Sequence, residues 1–361
     1  MPTATARRVS EKTGWELEPI ARFPGLRVLS WQGSALYASR GYALLRAHLV
    51  GAPGSPIVWE QVGQFSPRWW RRLTSKSRYS SRLFRDGLHA LAVLASGNLV
   101  AAAPGAIITN QKRSKEFSVS HVIRRGTRPL HIAAAPDGRA FWGEYFDNLR
   151  RDEVHIFGSR DGGVSWEIVY TFARGEVRHV HNVVYDPWED CLWVLTGDEG
   201  DECRILRAST DFKRVETVIS GNQQARAVAM VPTEDALYYS SDTPLESNHI
   251  YRLDRGGRSD IVGNLTSSSI YGCRAGDKIF FSTMVEPSRV NRDRMVRVYG
   301  GEGQSEWRAL LSWEKDALSM RFFQYGNVIL PGGNNTSGLL ALTTIAVEEQ
   351  DLETTIFKIQ E

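Results

Sequence analysis

One unit recurs along the chain, and it constrains the fold more than any other feature of the sequence. Each copy begins with a polar residue and continues with a short apolar stretch, a turn and a second apolar stretch. We place the seven starts at Arg27, His89, His131, His181, Arg226, Ser269 and Arg321. Successive starts are 62, 42, 50, 45, 43 and 52 residues apart. Short turns such as Pro136-Asp137-Gly138 join the two apolar stretches, which is typical of paired β-strands.

This period predicts an all-β fold. Repeats of roughly 40 to 50 residues with several strands each are typical of β-propellers. Weaker echoes in the later half of the units, such as Trp59-Glu60-Gln61-Val62 and Trp307-Arg308-Ala309-Leu310, add further strands to each unit. We therefore predict a seven-bladed β-propeller of four-stranded antiparallel blades with little helix. A six-bladed propeller with an irregular cap is the alternative.

Residues 1–361 are predicted to form a single propeller domain. A strand around Trp15–Ile20 is expected to pair with a last strand near Thr354–Ile359. Closing the ring in this way protects strand edges that would otherwise template aggregation.

Composition excludes several classes of protein. The chain is 42% hydrophobic and 24% charged, which is typical of a globular protein, and its net charge of +3 is too weak to indicate a nucleic-acid partner. The three cysteines form no Cys-x-x-Cys pair, and an odd number argues against a disulfide framework. Met1–Lys12 is polar and contains no apolar core. We therefore predict a cytoplasmic protein, or an exported one if a removed leader precedes this sequence.

One turn has a sequence of its own. Residues 159–166 run Ser-Arg-Asp-Gly-Gly-Val-Ser-Trp between two apolar strands. Ser159, Asp161, Gly163, Ser165 and Trp166 match every constrained position of Ser-x-Asp-x-Gly-x-Ser/Thr-Trp. The turn resembles the Asp-box, or BNR repeat, of sialidase-like β-propellers, in which six blades are found and the box lies away from the active site. The sialidase Arg-Ile-Pro motif has no match here, so no residue role is carried over.

Beyond the box, the chain resembles bacterial BNR-repeat proteins described as glycosyl-hydrolase-like and associated with exopolysaccharide. The resemblance implies a carbohydrate-active protein, and it supplies no residue roles. Fold alone does not determine chemistry, so the site has to come from the residues.

Propeller topology predicts where those residues meet. In a blade, the innermost strand begins on the face where the second strand ends, so the seven unit starts should ring one mouth of the central channel. The second strands should deliver polar ends to the same mouth, namely Glu144, Tyr145, Asp147, Asp198, Asp242, Glu286 and Asn334. Turns on the opposite face, such as Pro136-Asp137-Gly138, are short and have the sequences of ordinary structural turns. We therefore expect function at the elaborated mouth.

The histidines of this ring leave three roles open. His89, His131 and His181 could ligate a divalent metal (Mn²⁺, Zn²⁺ or Ca²⁺), with Gln224 or a carboxylate completing the site, or one could act as a general base. Alternatively, they only form hydrogen bonds across the mouth. His179 lies on the same side of the strand as His181 and is a further member. No cofactor is required by the sequence.

The arginines of the ring indicate an anionic ligand. Guanidinium groups bind carboxylates bidentately, so Arg27, Arg226 and Arg321 suit a uronate or an ulosonate. Alternatively, they pair with the mouth carboxylates in a structural ion network.

We predict a protein that binds and cleaves an anionic oligo- or polysaccharide by lyase or glycoside hydrolase chemistry. The catalytic candidates are His89, His131, His181, Tyr145 and Glu144. The substrate-binding candidates are Arg27, Arg226, Arg321, His179, Asp147, Asp198, Asp242, Glu286 and Asn334. The alternative is a non-catalytic glycan-binding or assembly propeller.

An insertion interrupts the period at residues 61–85. It contains seven basic residues and no acidic one, with Phe65, Trp69, Trp70, Tyr79 and Phe84 interleaved. Such a stretch can contact an anionic membrane surface or another protein. It can equally be an ordered loop whose aromatic rings pack on the side of the propeller.

Overall fold

Seven antiparallel sheets form a ring around a central channel. The computed structural model describes residues 7–8, 14–49, 56–111 and 114–360. The chain enters through β1 (Arg7–Arg8) and β2 (Glu16–Pro24). Blade 1 contains β3 (Arg27–Gly33), β4 (Ala35–Arg40), β5 (Ala43–His48) and β6 (Glu60–Gln64), followed by helices α1 (Trp69–Thr74) and α2 (Arg78–Phe84). Blade 2 contains β7 (Ala90–Val93), β8 (Leu99–Ala103), β9 (Ala106–Asn110) and β10 (Ser118–Val122).

The next three blades follow the same plan. Blade 3 contains β11 (Ala133–Ala134), β12 (Ala140–Gly143), β13 (Val154–Ser159) and β14 (Glu167–Phe172). Blade 4 contains β15 (His179–Asp186), β16 (Cys191–Gly197), β17 (Arg204–Ser209) and β18 (Val215–Ser220), with short 3₁₀ turns at Gly200–Glu202 and Gln223–Ala225. Blade 5 contains β19 (Ala227–Pro232), β20 (Ala236–Ser241), β21 (Asn248–Asp254) and β22 (Ser259–Leu265).

The last two blades complete the ring. Blade 6 contains β23 (Ser269–Ala275), β24 (Lys278–Thr283), β25 (Met295–Gly301) and β26 (Arg308–Glu314), to which β1 adds an edge. Blade 7 contains β27 (Asn327–Ile329), β29 (Leu339–Ile345) and β30 (Glu353–Gln360). Strand β28 (Gly332–Asn335) lies between β27 and β29 in the sequence but belongs to the sheet of blade 1. The seven-bladed prediction is confirmed, and the six-bladed alternative is not observed.

The two ends of the chain close the ring, as the sequence predicted. Strand β2 supplies the outermost strand of blade 7, and its residues Glu16 to Pro24 pair antiparallel with Gln360 to Glu353 of β30. Because β2, near the start of the chain, pairs with β30, near its end, the ring has no open seam.

The core lies between neighbouring blades rather than inside any one of them. In β8, Leu99, Ala101 and Ala103 face blade 1, whereas Val100 and Ala102 face blade 3. Successive strand residues point to opposite faces, so a strand covered on both sides is apolar at every position. This explains the continuous apolar stretches of the repeat.

Strand β28 narrows the channel at the end opposite its polar mouth. It leaves blade 7 and pairs in parallel with the second half of β3, where Gly332 lies opposite Ser30 and Asn335 opposite Gly33. Gly333 has φ +90°, and a Cβ there would lie 2.2 Å from the carbonyl oxygen of Trp31. Only glycine fits so close to a neighbouring backbone at this φ.

The Ser159–Trp166 turn fastens blade 3 to blade 2. Asp161 accepts hydrogen bonds from the hydroxyls of Ser159 and Ser165 at 2.8 and 2.6 Å and from two backbone N–H groups of the turn. Thr109 of blade 2 donates to the carbonyl of Gly163 at 2.5 Å. The indole N–H of Trp166 donates to Ser120 at 3.1 Å.

Replacing Asp161 with alanine is expected to lower the free energy of unfolding by about 1–3 kcal/mol, because four hydrogen bonds to one carboxylate are lost. A urea titration measures the change. The matched control is Asp211→Ala, because Asp211 occupies a similar turn but accepts hydrogen bonds from Ser209 and the backbone N–H of Lys213, with an exposed contact to the Lys213 ammonium at 3.2 Å. Equal losses in the two variants would contradict the role we assign to Asp161.

Residues 61–64 of the predicted insertion belong to β6, and α1 and α2 form a helical hairpin anchored by buried ion pairs. Arg71 contacts Asp86 at 2.6 Å, and Asp86 also accepts a bond from Tyr42 of blade 1. Arg82 is buried and reaches Asp316, in the loop before blade 7, and Asp351, in the loop between β29 and β30 of that blade. The hairpin therefore spans the mouth-side loops of blades 1 and 7. Within the described ranges, no helix is long and apolar enough to cross a bilayer.

Candidate functional site

Six of the seven predicted unit starts lie where innermost strands begin. Arg27 and Ser269 are the first residues of β3 and β23, and the other four lie within two residues of such a start. Arg321 is the exception, because it lies in an exposed loop six residues before β27. The repeat alignment placed the innermost strand of the last unit too early in the sequence. The innermost strand is β27, which the alignment had assigned as the second strand of that unit. We call the end of the channel where these strands begin the mouth.

The first group of side chains at the mouth is a His–Asp cluster of His179, His181 and Asp198. All three are buried. The Nε2 atoms of the two imidazoles lie 3.0 Å apart, and Asp198 oxygens lie 3.5 Å from His179 Nε2 and 3.3 Å from His181 Nε2. The two histidines are two residues apart on β15 and therefore project from the same side of the strand.

Two arginines hold Asp198 from the outside. Arg226 lies 3.2 Å and Arg178 3.1 Å from its carboxylate oxygens. Burial alone would raise the pKa of Asp198, but its contacts with the two imidazoles and the charge of Arg226 together hold it well below its usual value. Burial is also the main cause that lowers the pKa of His181. Asp198 is therefore an anion in this arrangement.

Two carboxyl groups beside this cluster, those of Asp242 and Glu286, have raised pKa values. Burial raises the pKa of Asp242 to about 7, against the opposing charge of Arg226 at 3.8 Å. One Asp242 oxygen is buried without a hydrogen-bond partner. Burial likewise raises the pKa of Glu286 and brings that of Tyr145 to about 12. The Tyr145 ring packs 4.3 Å from the His179 ring, centroid to centroid.

A second group, the arginine cluster, combines Arg27, His89, Arg128, His131 and Tyr271. Arg27 donates to Nδ1 of His89 at 2.6 Å, and Nε2 of His89 donates to the carbonyl of Arg85 at 2.8 Å. Burial, followed by the positive charge of Arg27, lowers the pKa of Arg128 to about 10. Among the described residues, neither guanidinium forms an ion pair with a carboxylate. Two desolvated cations lacking an anion form a site that favours one.

Tyr271 lies near these arginines, and His131 lies next to Tyr271. Burial lowers the pKa of His131 to about 4, and its ring lies 6.1 Å from the Tyr271 ring. Burial raises the pKa of Tyr271, while Arg27 and Arg128 oppose that shift. In the part of the chain that is described, His131 has no hydrogen-bond partner, so its nitrogens are free for a ligand.

The predicted metal centre of His89, His131 and His181 is not assembled. His181 belongs to the His–Asp cluster, His89 is committed to Arg27, and His131 faces Tyr271. These three histidines come from blades 2, 3 and 4, and positions around a wide ring do not all touch. Both nitrogens of His89 are engaged in hydrogen bonds, to Arg27 and to the carbonyl of Arg85.

Three further predicted site residues lie elsewhere. Glu144 is buried in a bidentate pair with Arg125 and also accepts the backbone N–H of His155, so it is a structural carboxylate. Asp147 is exposed and pairs with Arg178 at the outer edge of the mouth. Asn334 lies on β28, opposite Gln32 near the far end of the channel.

Sequence reasoning missed Arg128, Arg178 and Tyr271. Tyr271 is two residues beyond the unit start Ser269, on the same strand face, so the alternation that linked His179 to His181 would also have found it. Arg128 and Arg178 lie in the loops that precede β11 and β15. The repeat alignment considered only the strand starts and left these connecting loops out.

Comparisons with known proteins support the architecture alone. No family model matches the chain, and no curated protein matches it. A chain of the mitotic checkpoint complex superposes with a TM-score of 0.57 at 10% identity, covering 100% of this chain and 97% of its own. The WD40 β-propeller domain of Doa1 gives a TM-score of 0.56 at 12% identity, covering 96% of this chain and 97% of its own. At such low identity the likeness shows that this chain is a β-propeller and nothing about its ligands.

Proposed function

We propose that the mouth binds a glycan carrying a carboxylate, such as a uronate or an ulosonate, and cleaves uronate linkages by β-elimination. The observation that carries this proposal is the pair of desolvated arginines, Arg27 and Arg128, neither of which forms an ion pair with a carboxylate in the described residues. A sugar carboxylate supplies the missing anion. The resemblance of the Ser159–Trp166 turn to the Asp-box supports a carbohydrate ligand over other carboxylates.

Recognition would use both guanidinium groups. Each presents a planar fork of N–H donors that matches a carboxylate, and the dry surroundings strengthen the attraction. His89 acts here as a positioning residue, because its Nδ1 accepts a hydrogen bond from Arg27 and its Nε2 is tied to the Arg85 carbonyl.

The neighbouring neutral groups suit elimination. Neutralising the carboxylate acidifies the C5 proton of a uronate, which a neutral His131 nitrogen can accept. The released electron pair forms the C4–C5 double bond, and the C4–oxygen bond breaks. Tyr271 can donate its phenolic proton to the departing oxygen. The products are an unsaturated uronate and a free hydroxyl.

Incubation with a panel of uronate- and ulosonate-containing polysaccharides tests the proposal. Elimination is expected to produce ultraviolet absorbance from the unsaturated product, together with new reducing ends. Reducing ends without that absorbance would replace elimination by hydrolysis. Hydrolysis is favoured by one observation, namely that Asp242 and Glu286 have raised pKa values suited to a general acid. Binding without either product would leave a non-catalytic glycan-binding propeller.

A second candidate function, docking to an anionic membrane surface, rests on the helical hairpin. Trp69 and Leu73 are 75% and 58% exposed on one side of α1, and Tyr79 is 50% exposed on α2. Arg71 and Arg82 pair with acidic residues of the propeller, and the other five basic side chains of this segment are exposed, namely Arg68, Arg72, Lys76, Arg78 and Arg85. Apolar anchors with a basic border are typical of segments that lie on anionic lipid.

The double variant Trp69→Ser/Leu73→Ser is expected to lose most binding to phosphatidylserine vesicles in a sedimentation assay. Wild-type protein should bind phosphatidylserine vesicles, and this binding should weaken at high salt. It should not bind neutral phosphatidylcholine vesicles. The control is Leu149→Ser, since Leu149 is 71% exposed on a blade 3 loop away from the hairpin. Equal binding by both variants would contradict a role for the hairpin.

A further inference from the structure

The two histidines of the His–Asp cluster have a fixed tautomer. Nδ1 of His179 lies 3.1 Å from the carbonyl of Phe146, and Nδ1 of His181 lies 2.9 Å from the carbonyl of Ala227. A carbonyl oxygen only accepts hydrogen bonds, so both Nδ1 atoms carry the proton. In the neutral imidazoles, each Nε2 therefore presents a lone pair.

Those lone pairs point at one another. With the Nε2 atoms 3.0 Å apart and an Asp198 oxygen within 3.5 Å of each, three electron donors face a common point. Bringing donors together in this way is unfavourable unless a cation lies between them. Among the described residues, the neighbouring cations Arg178 and Arg226 contact Asp198 Oδ2 and Oδ1, and neither is hydrogen-bonded to an imidazole Nε2.

The spacing matches a coordination polyhedron. Ligands about 2.0–2.1 Å from a tetrahedral zinc ion lie about 3.3 Å from one another. Here the two Nε2 atoms are 3.0 Å apart, and each lies beside a different Asp198 oxygen, His179 Nε2 at 3.5 Å from Oδ2 and His181 Nε2 at 3.3 Å from Oδ1. We propose that His179, His181 and Asp198 bind a divalent transition metal of the Zn²⁺ class through two imidazole nitrogens and the Asp198 carboxylate.

The surroundings have the features of a built metal site. Backbone carbonyls orient each imidazole through its Nδ1–H, which is the usual second layer around histidine ligands. Three protein ligands leave a fourth position open for water or a ligand at the mouth. Two imidazoles favour Zn²⁺ or its neighbours over Ca²⁺ and Mg²⁺, which prefer oxygen ligands.

The other group of potential ligands lacks these features. Asp186, Glu189 and Cys191 also come together at the far end of blade 4. However, Asp186 is paired with Arg255 and hydrogen-bonded by Trp193, and Glu189 is paired with Arg207 and Arg255. Burial raises the pKa of the Cys191 thiol to about 11. This group is therefore already neutralised by the protein and serves as a control.

Metal binding can be measured without any glycan, so the proposal does not depend on the proposed function. Full-length protein is treated with a chelator, dialysed and titrated with Zn²⁺ by calorimetry. We expect one tight equivalent per chain, and Co²⁺ substituted at the same site should give the intense visible absorption of a tetrahedral nitrogen–oxygen site. Ca²⁺ and Mg²⁺ should give no comparable heat.

Variants then locate the ion. His179→Ala, His181→Ala and Asp198→Asn are each expected to weaken Zn²⁺ binding at least 100-fold, whereas Cys191→Ser and His249→Ala should bind as the wild type does. His249 is a suitable control because its Nδ1 interacts with Asn264 on blade 5. Failure of the wild-type protein to bind a stoichiometric equivalent overturns the proposal without recourse to any variant. Loss of binding in Cys191→Ser, or its retention in His181→Ala, would also overturn it.

Discussion

Replacing Arg128 with methionine is expected to weaken the binding of a uronate oligosaccharide and, in the same variant, to make the protein more stable. A lost charge-assisted hydrogen-bond pair is worth about 1.5–3 kcal/mol, which corresponds to roughly a 10- to 100-fold weaker affinity. The free energy of unfolding should rise by about 1–3 kcal/mol, because the folded protein no longer holds a desolvated cation next to Arg27. Calorimetric titration and urea unfolding measure the two effects on one sample.

The opposite signs follow because Arg128 forms no ion pair with a carboxylate among the described residues. A structural arginine is stabilised by its acid, so its removal leaves a buried charge and destabilises the fold. Burial, followed by the charge of Arg27, lowers the pKa of Arg128 to about 10, so this side chain lowers stability in the folded protein. Residues that lower stability and raise affinity are typical of binding sites.

Arg125→Met is the matched control, three residues away in the same loop. Arg125 holds the buried carboxylate of Glu144. Its replacement should therefore destabilise the protein and leave uronate affinity unchanged. If Arg128→Met were also destabilised and bound the oligosaccharide normally, Arg128 would be a structural residue and the proposed carboxylate site would be wrong.

The architecture could be predicted from the sequence because the repeat expresses a physical requirement. Each inner strand is covered on both faces by neighbouring blades, so its apolar stretch is continuous, as in β8. Such stretches, separated by tight turns, mark the blade period directly. The alignment failed only in the last unit, where β28 crosses to β3 and blade 7 departs from the common pattern.

Part of the candidate site could also be predicted, because the repeat and the alternation along strands show which residues lie at the mouth. Strand alternation placed His179 beside His181, and the propeller topology placed Asp198, Arg226 and Asp242 at the same mouth. The repeat could not show which blades face each other closely, so His89 and His131 were wrongly joined to His181. Nor could it show that Glu144 pairs with Arg125 while Tyr145 packs on His179, because both residues lie in the loop after β12, where strand alternation does not apply.

Asp242→Asn is expected to stabilise the metal-free protein at pH 8 and to change little at pH 4. In the folded protein Asp242 keeps its proton up to a pKa of about 7, whereas in the unfolded chain it ionises near its ordinary value of 3.8. The unfolded state therefore binds fewer protons between these values, and stability falls as pH rises through that window. The loss approaches about 4 kcal/mol above pH 7, since each unit of pKa difference corresponds to about 1.4 kcal/mol. Asparagine has a similar shape and no charge to desolvate.

Urea unfolding of both proteins across pH 4 to 8 measures this difference after chelator treatment, because a nearby cation would itself change the pKa of Asp242. The charged groups that face Asp242 are Arg226, Glu286 and Asp198, and the two carboxylates oppose its ionisation while Arg226 favours it. Asp235→Asn on the same blade is a control of opposite sign, because the hydrogen bond from Arg252 lowers the pKa of Asp235. That variant should be less stable than the wild type at neutral pH, and the difference should disappear in acid. A pH-independent difference for Asp242→Asn would mean that Asp242 is ionised throughout, and it would then be unable to serve as a general acid at this mouth.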